Sequence, residues 1–262
     1  MKPINFDQTK LINLFKLRII SKRILKLTKN MNPENKNNFY IKKKRLLMRT
    51  FDAMLLIAKQ TLIDNFGEQK YNEIVVTSRK EFEALIPQLP YIGEDNRLTE
   101  PLINAAGLLP ILRAIEKEGL EYKEIGRITY ELFEAFYKMI PQSDDIFSED
   151  YLNEQRINAE VSKLRKYPGS WVFDFIEGDN RTFTFGIDYS ECGVYKFYKS
   201  QGAEHLMPLV CIADFAQARA YGYGLTRTQT IGNGADICDF RYLKGGSIPR
   251  AWPPDHLPEF KK

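Results

Sequence analysis

Apolar residues recur every three or four positions between residues 40 and 67, through Leu46, Leu47, Phe51, Met54, Leu55, Ala58 and Leu62, and Gly67 follows them. That period predicts one long helix with a glycine stop. A shorter helix, opened by Thr77 with Glu81 in its first turns, is expected to run to Pro87 and Pro90, and residues 91–97 read as a turn-rich loop. Thr99 starts the next helix with Pro101 in its first turn, and Gly119 ends it. Residues 122–139 and 148–166 give a fourth and a fifth helix. At Pro168 and Gly169 the period changes to two. Trp171, Phe173 and Phe175 then share a face, as do Phe183, Phe185 and Ile187 after the turn at Gly178, Asp179 and Asn180. Helical spacing returns over 191–199 and 204–221, followed by alternation over 225–231 and 236–243 around Asn233 and Gly234. The order ββααββ predicts an α+β protein, with an N-terminal helical half packed on a C-terminal four-stranded antiparallel sheet that carries helices on one face.

With 262 residues, 44% of them hydrophobic and 27% charged, the chain has material for a sizeable core. Its longest apolar runs, 53–58 and 108–112, fall far short of the roughly 18 residues a spanning helix needs, so no stable membrane insertion is expected. Three cysteines are too sparse for a secreted disulfide framework and fit a reducing, cytoplasmic setting. The net charge of +4 conceals a division: residues 1–50 hold 14 Lys and Arg against 2 Asp and Glu, leaving 24 against 32, or −8, for the remainder. Basic excess confined to a Lys/Asn-rich leader argues against a nucleic-acid partner. Residues 1–38 therefore read as a dispensable basic leader and polar linker, its first 30 residues patterned like a basic amphipathic helix without a secretory apolar region. Residues 39–167 form the helical region. Residues 168–262 form the α+β region and end in an extended tail bearing Pro249, Pro253, Pro254 and Pro258.

The candidate chemistry lies in that last region. Cys192, Cys211 and Cys238 are spaced 19 and 27 apart, which matches no paired-cysteine zinc motif. With Ser190 as the expected N-cap, Cys192 falls in a first helical turn, where free N–H groups and the helix dipole favour a thiolate. Each cysteine read singly is more simply explained as a small buried hydrophobe. In the helix predicted at 204–221, Met207, Cys211, Asp214 and Ala218 form one stripe, so Asp214 either reaches an edge or meets a partner, a structural ion pair being the plainer account. A two-residue turn at Asn233 and Gly234 sets a register that pairs Gln229 with Cys238 and Arg227 with Phe240. Leu225, Arg227, Gln229, Ile231, Cys238, Phe240 and Tyr242 then share the covered face. Asp239 and Arg241 fall on the opposite face as surface charges. The only histidines, His205 and His256, share no ligand spacing, and neither a metal nor a cofactor is expected.

Glu191 with Cys192, the run from Pro208 to Asp214, the run from Arg227 to Gly234, and Cys238 to Tyr242 together resemble the L-2-amino-thiazoline-4-carboxylic acid hydrolase family. The upstream helices and the loop from Pro90 to Gly93 are also similar to it, so the resemblance covers roughly residues 40–242. It implies ring opening of a cyclic isothiourea bearing a carboxylate. On that reading Arg227 supplies a bidentate guanidinium for the carboxylate, with Gln229 beside it. Asp214 meets the amidine or activates water, and a thiolate of Cys192, Cys211 or Cys238 attacks the amidine carbon. The same cysteine-bearing layout is loosely similar to vinyl-reductase-type small-molecule-binding domains, which makes a ligand-sensing module the alternative. In a third reading the three cysteines gather a soft metal with Asp214 or His205. A small-molecule partner is expected in the first two readings. The oligomeric state and the substrate are left open.

Overall fold

The computed structural model describes residues 38–140, 142 and 145–248. The basic leader, the Asn-rich linker up to residue 37, and the tail with its four prolines and His256 lie outside the described residues. A short helix α1 (Phe39–Lys42) leads into α2 (Lys44–Leu85), which is broken at Gly67. Gly67 has φ 79° and ψ 165°, a backbone region open essentially to glycine alone. The chain reverses there. Phe51 stacks on Phe82 at 4.5 Å, Asp52 pairs with Arg79 at 2.8 Å and Lys44 with Glu83 at 2.7 Å, so the arms on either side of Gly67 lie antiparallel. The expected stop is therefore present, but the second helix resumes at once rather than at Thr77. Thr77 is mid-helix, its hydroxyl donating to the Glu73 carbonyl at 2.8 Å.

Helices α3 (Thr99–Glu116), α4 (Tyr122–Met139) and α5 (Glu149–Ser162) follow at the positions the periodicity indicates, α5 being capped by the Ser148 hydroxyl. Strands β1 (Val172–Glu177) and β2 (Phe185–Glu191) form a hairpin. Beyond them come α6 (Gly193–Ser200), α7 (Met207–Cys211), α8 (Ala213–Tyr221), the short strand β3 (Gly224–Thr226) and β4 (Cys238–Leu243). The sheet is antiparallel with order β1-β2-β4-β3. The protein is thus α+β, its helical half packed on a four-stranded antiparallel sheet. One cluster of buried side chains runs from Phe39 to Phe240, and the Tyr198 hydroxyl, which donates to the Ala105 carbonyl at 2.7 Å, ties α6 to α3 inside it. Among the described residues no helix is long and apolar enough to cross a membrane.

Two departures from the expected pattern shape the region around Asp214. The helix expected over 204–221 is interrupted at Ile212. The Phe215 amide, which would bond the Cys211 carbonyl in an unbroken helix, bonds the Ile212 carbonyl at 3.1 Å instead and leaves Cys211's carbonyl free. The expected final hairpin is real but truncated. Leu225 pairs with Tyr242 and Thr226 with Arg241, in the expected register, and there the ladder ends. The Asp239 carboxylate takes over the next donors, accepting from the Thr228 amide at 2.8 Å, the Thr228 hydroxyl at 2.5 Å and the Gln229 amide at 2.9 Å. A single 3-10 turn at Ile231–Asn233, capped by the Thr230 hydroxyl, replaces the two-residue turn.

Candidate functional site

Strand alternation carries Arg227 inward, and the peeling of the chain after Thr226 drives it fully under cover, with 0% of its side chain exposed. The guanidinium lies between two aromatic rings, Phe215 at 4.9 Å and Phe240 at 5.3 Å. Its Nη1 donates to the freed Cys211 carbonyl at 2.7 Å and to Asp214 Oδ2 at 3.0 Å. Among the described residues its Nε and Nη2 are covered and have no hydrogen-bond partner. The interruption at Ile212 is what makes this arrangement possible, because it supplies a carbonyl acceptor one turn before the carboxylate.

Asp214 presents the opposite combination. Its side chain keeps 38% of its surface, yet the protein around it desolvates the carboxylate strongly enough to raise its pKa to about 6, against the lowering effect of Arg227. Desolvated yet accessible, the carboxylate lies in a recess that is open to solvent on one side. Burial raises the pKa of the phenols of Tyr137, Tyr189, Tyr223 and Tyr242 and of all three thiols, and the negative charge of Asp214 adds to each shift. These groups belong to α4, β2, β4, the N-cap of α6 and the residues flanking α8.

The three cysteines do converge on this recess. Cys192 is itself the N-cap of α6, its Sγ accepting from the Tyr195 amide at 3.4 Å, whereas Ser190 lies in β2. The expected thiolate is not favoured there. Burial pushes the Cys192 thiol up, outweighing the backbone N–H groups that act in the other direction. Burial likewise raises Cys211 well above the ordinary range, although Arg227 opposes it, and pushes Cys238 up to about 12. Cys238 Sγ accepts from the Ile231 amide at 3.2 Å, and Cys211 Sγ rests against Gly232, where an added Cβ would come within 2.9 Å. Among the described residues no group of three His, Cys, Asp or Glu is arranged to hold a metal ion.

Gln229, expected beside Arg227 on the covered face, is exposed, because the phase of alternation is lost once Asp239 captures the 228–229 backbone. It is not part of the recess. Asp239 and Arg241 occupy the outer face as alternation requires, but they are half-buried structural groups rather than free surface charges. Arg241 pairs with Asp188 at 2.5 Å and lies over the Phe183 ring at 5.4 Å. His205 is elsewhere, bonded to Glu116 at 2.7 Å.

The strand register places Tyr242 on the covered face, but gives no role to it or to Tyr189. Tyr189 and Tyr242 stand on adjacent strands and point to the same side as Phe240, Tyr189 meeting that ring edge-on at 5.5 Å. Among the described residues neither hydroxyl has a hydrogen-bond partner, and neither is one of the covered orphan atoms. A phenol placed at an inward-facing strand position was the available signal, since buried hydroxyls normally find a partner.

In this α+β scaffold a partly accessible carboxylate is thus anchored by a covered arginine, with phenols and thiols nearby. A family model described as L-2-amino-thiazoline-4-carboxylic acid hydrolase matches residues 111–242, half of the chain, and the protein belongs to that family. The match starts within α3 and ends in β4, so it contains every residue of the recess named above, while the loop from Pro90 to Gly93 lies outside it. No curated protein and no solved structure matches the chain.

Proposed function

We propose that the protein is a hydrolase that opens a small cyclic isothiourea or amidine bearing a carboxylate, of the 2-amino-thiazoline-4-carboxylate type, with Asp214 as the general base. One observation carries this reading: the Asp214 side chain keeps 38% of its surface, is held through Oδ2 by a covered guanidinium, and has its pKa pushed up to about 6 by desolvation. A base with a pKa just below neutral is ionised at pH 7 yet still accepts a proton readily. In the proposed reaction a water molecule gives a proton to Asp214 as its oxygen bonds to the amidine carbon. Asp214 then returns that proton to the ring nitrogen or sulfur as its bond to the same carbon breaks, and the remaining hydroxyl proton is released to solvent as the carbonyl forms from the protonated amidine. Water is favoured over a thiolate as nucleophile because burial keeps Cys192, Cys211 and Cys238 protonated.

Incubating the purified protein with 2-amino-thiazoline-4-carboxylate and following ring opening by chromatography tests the proposal. Asp214→Asn is expected to lose at least about 100-fold in rate, the usual scale for a general base, while keeping its fold. Wild-type protein that leaves such rings intact, or an Asn variant of equal rate, would refute it. Tight binding without ring opening is the outcome that favours a ligand-sensing module.

A further inference from the structure

Helix α5 spends its inner face on the sheet. Leu152, Gln155 and Ala159 are buried where it packs on β1, and the Ser162 hydroxyl accepts from the Phe173 amide at 3.1 Å. The outer face is apolar where a solvated helix would be polar. Ile157, Val161 and Leu164 follow one another at helical spacing and are 63%, 56% and 75% exposed, Leu164 continuing the helical path through its amide bond to the Val161 carbonyl at 3.2 Å. The other exposed large apolar side chains, Ile41, Val76, Tyr122 and Met139, stand apart along α1, α2 and the two ends of α4, as scattered surface residues ordinarily do. Charge is divided about the stripe. Glu149, Asp150 and Glu154 lie before it, and Lys163, Arg165 and Lys166 lie at its far end. Asp150 and Lys166 are exposed, and neither has an ion-pair partner among the described residues.

We propose that this face of α5 is a self-association surface, on which a second copy of the chain docks antiparallel about a two-fold axis between Ile157 and Val161. That arrangement lays Ile157 of each copy against Val161 of the other and brings the acidic end of each helix, with Asp150, beside the basic end of the other, with Lys166. Every such contact occurs twice, and a contact one helix wide belongs to the weak, transient class of interface. The two segments of this chain outside the described residues suit the stripe less well. The basic leader joins the fold at α1, where the Phe39 ring meets Tyr91 at 5.2 Å and Tyr91 meets Tyr167 at 5.3 Å, so it enters beside Lys163, Arg165 and Lys166, charges of its own sign. The proline-rich tail leaves beyond Ile248, next to where Gly246 touches Gly224 of β3, at the sheet edge farthest from β1.

Sedimentation equilibrium of the full-length chain at neutral pH, at low and at high salt, tests the proposal, with thermal melting recorded for each variant. The wild type is expected to pass from monomer to dimer between about 1 and about 200 µM, less readily at high salt. Val161→Glu sets like charges across the axis at an exposed position, so it should stay monomeric throughout and melt as the wild type does; Leu164→Asp repeats the reading should Val161→Glu melt early. Asp150→Lys should weaken the dimer at least about 3-fold at low salt, and adding Lys166→Glu to it should restore the wild-type constant, since each ion pair is then remade with its signs exchanged. A monomeric wild type, an undiminished dimer in Val161→Glu and Leu164→Asp, or a charge exchange that fails to restore the dimer would each overturn the proposal. A monomeric wild type whose residues 1–37 exchange amide hydrogens faster in Val161→Glu would assign the stripe to the leader instead.

Discussion

Replacing Arg227 with methionine separates the two things that side chain does. The substitution removes two charge-assisted bonds, to the Cys211 carbonyl and to Asp214, each of the order of 1.5–3 kcal/mol, together with the sandwich between Phe215 and Phe240. It also removes a desolvated guanidinium whose Nε and Nη2 are covered and unbonded, each at a cost of about 1–3 kcal/mol. The two sides are similar in size, and the orphaned Asp214 keeps 38% of its surface for water, so the net change in stability should stay within about 2 kcal/mol. At about 2–4 °C per kcal/mol for a chain of this size, the melting temperature moves by less than about 8 °C. The carboxylate responds more strongly. Two unit charges about 4 Å apart interact by about 4 kcal/mol at an effective dielectric constant of 20, and discounting that by half or more for an accessible partner leaves up to about 1.5 pKa units. Losing a cation favours the neutral acid, so the acidic limb of kcat/KM, near pH 6 in the wild type, should move upward by as much as about 1.5 pH units. Activity lost at neutral pH should then return at pH 8–9. A pH–rate profile and a carbonyl-carbon NMR titration of Asp214 read the shift directly. A fall of more than about 10 °C in melting temperature with the limb still near pH 6 would show that Arg227 serves the fold and leaves the base untouched.

Strand alternation alone makes Asp239 a surface charge, whose replacement by Asn would cost little. With three donors resting on that carboxylate, it should instead cost about 1–3 kcal/mol and weaken ligand binding through the loop that carries Arg227, as thermal melting and calorimetry will show. Gly67→Ala should destabilise by about 1–3 kcal/mol through backbone strain alone, since nothing lies within 4 Å of an added Cβ, and an unchanged denaturation midpoint would contradict the reversal at that residue. Cys192→Ser substitutes a better capping side chain, so it should melt at or above the wild-type temperature and keep most of the ring-opening rate; complete loss of rate would mark the thiol as the nucleophile. Asp214 binds its proton more tightly in the folded state than in the unfolded one, so its contribution is greatest below about pH 4 and is lost as pH rises through about 6. The stability of the wild type relative to Asp214→Asn should fall across that window and stay level above it.

What could be read in the sequence was local and periodic. The 122–139 helix, the phenylalanine alternation of the first hairpin and the pairing of Leu225 with Tyr242 all follow from repeats of 3.6 or 2 residues. The stripe of Cys211 and Asp214 and the inward position of Arg227 follow in the same way, but their meeting also needs the interruption at Ile212, which no repeat announces. The rest depended on a side chain capturing backbone from a distance. Asp239 ends the ladder and turns Gln229 outward, and nothing in the alternation of 225–231 announces it. Gly67 was legible as a stop but not as a hairpin, because only its positive φ allows a second helix to begin without a loop. The protonation of the thiols was hidden for a similar reason: a helix N-terminus is visible in sequence, whereas the protein mass surrounding Cys192 is not.

The brevity of β3 bears on how the protein behaves in solution. It is an outermost strand of the sheet and offers only three residues to any neighbouring chain before the backbone turns away at Arg227. Exposed edges recruit other strands in proportion to their length and flatness, and this one is too short to seed an aggregate. Lengthening it by freeing residues 228–230 from Asp239 would build a longer sticky edge and at the same moment withdraw Arg227 from its carboxylate. Loss of activity and onset of self-association should therefore arise together, from the same few residues.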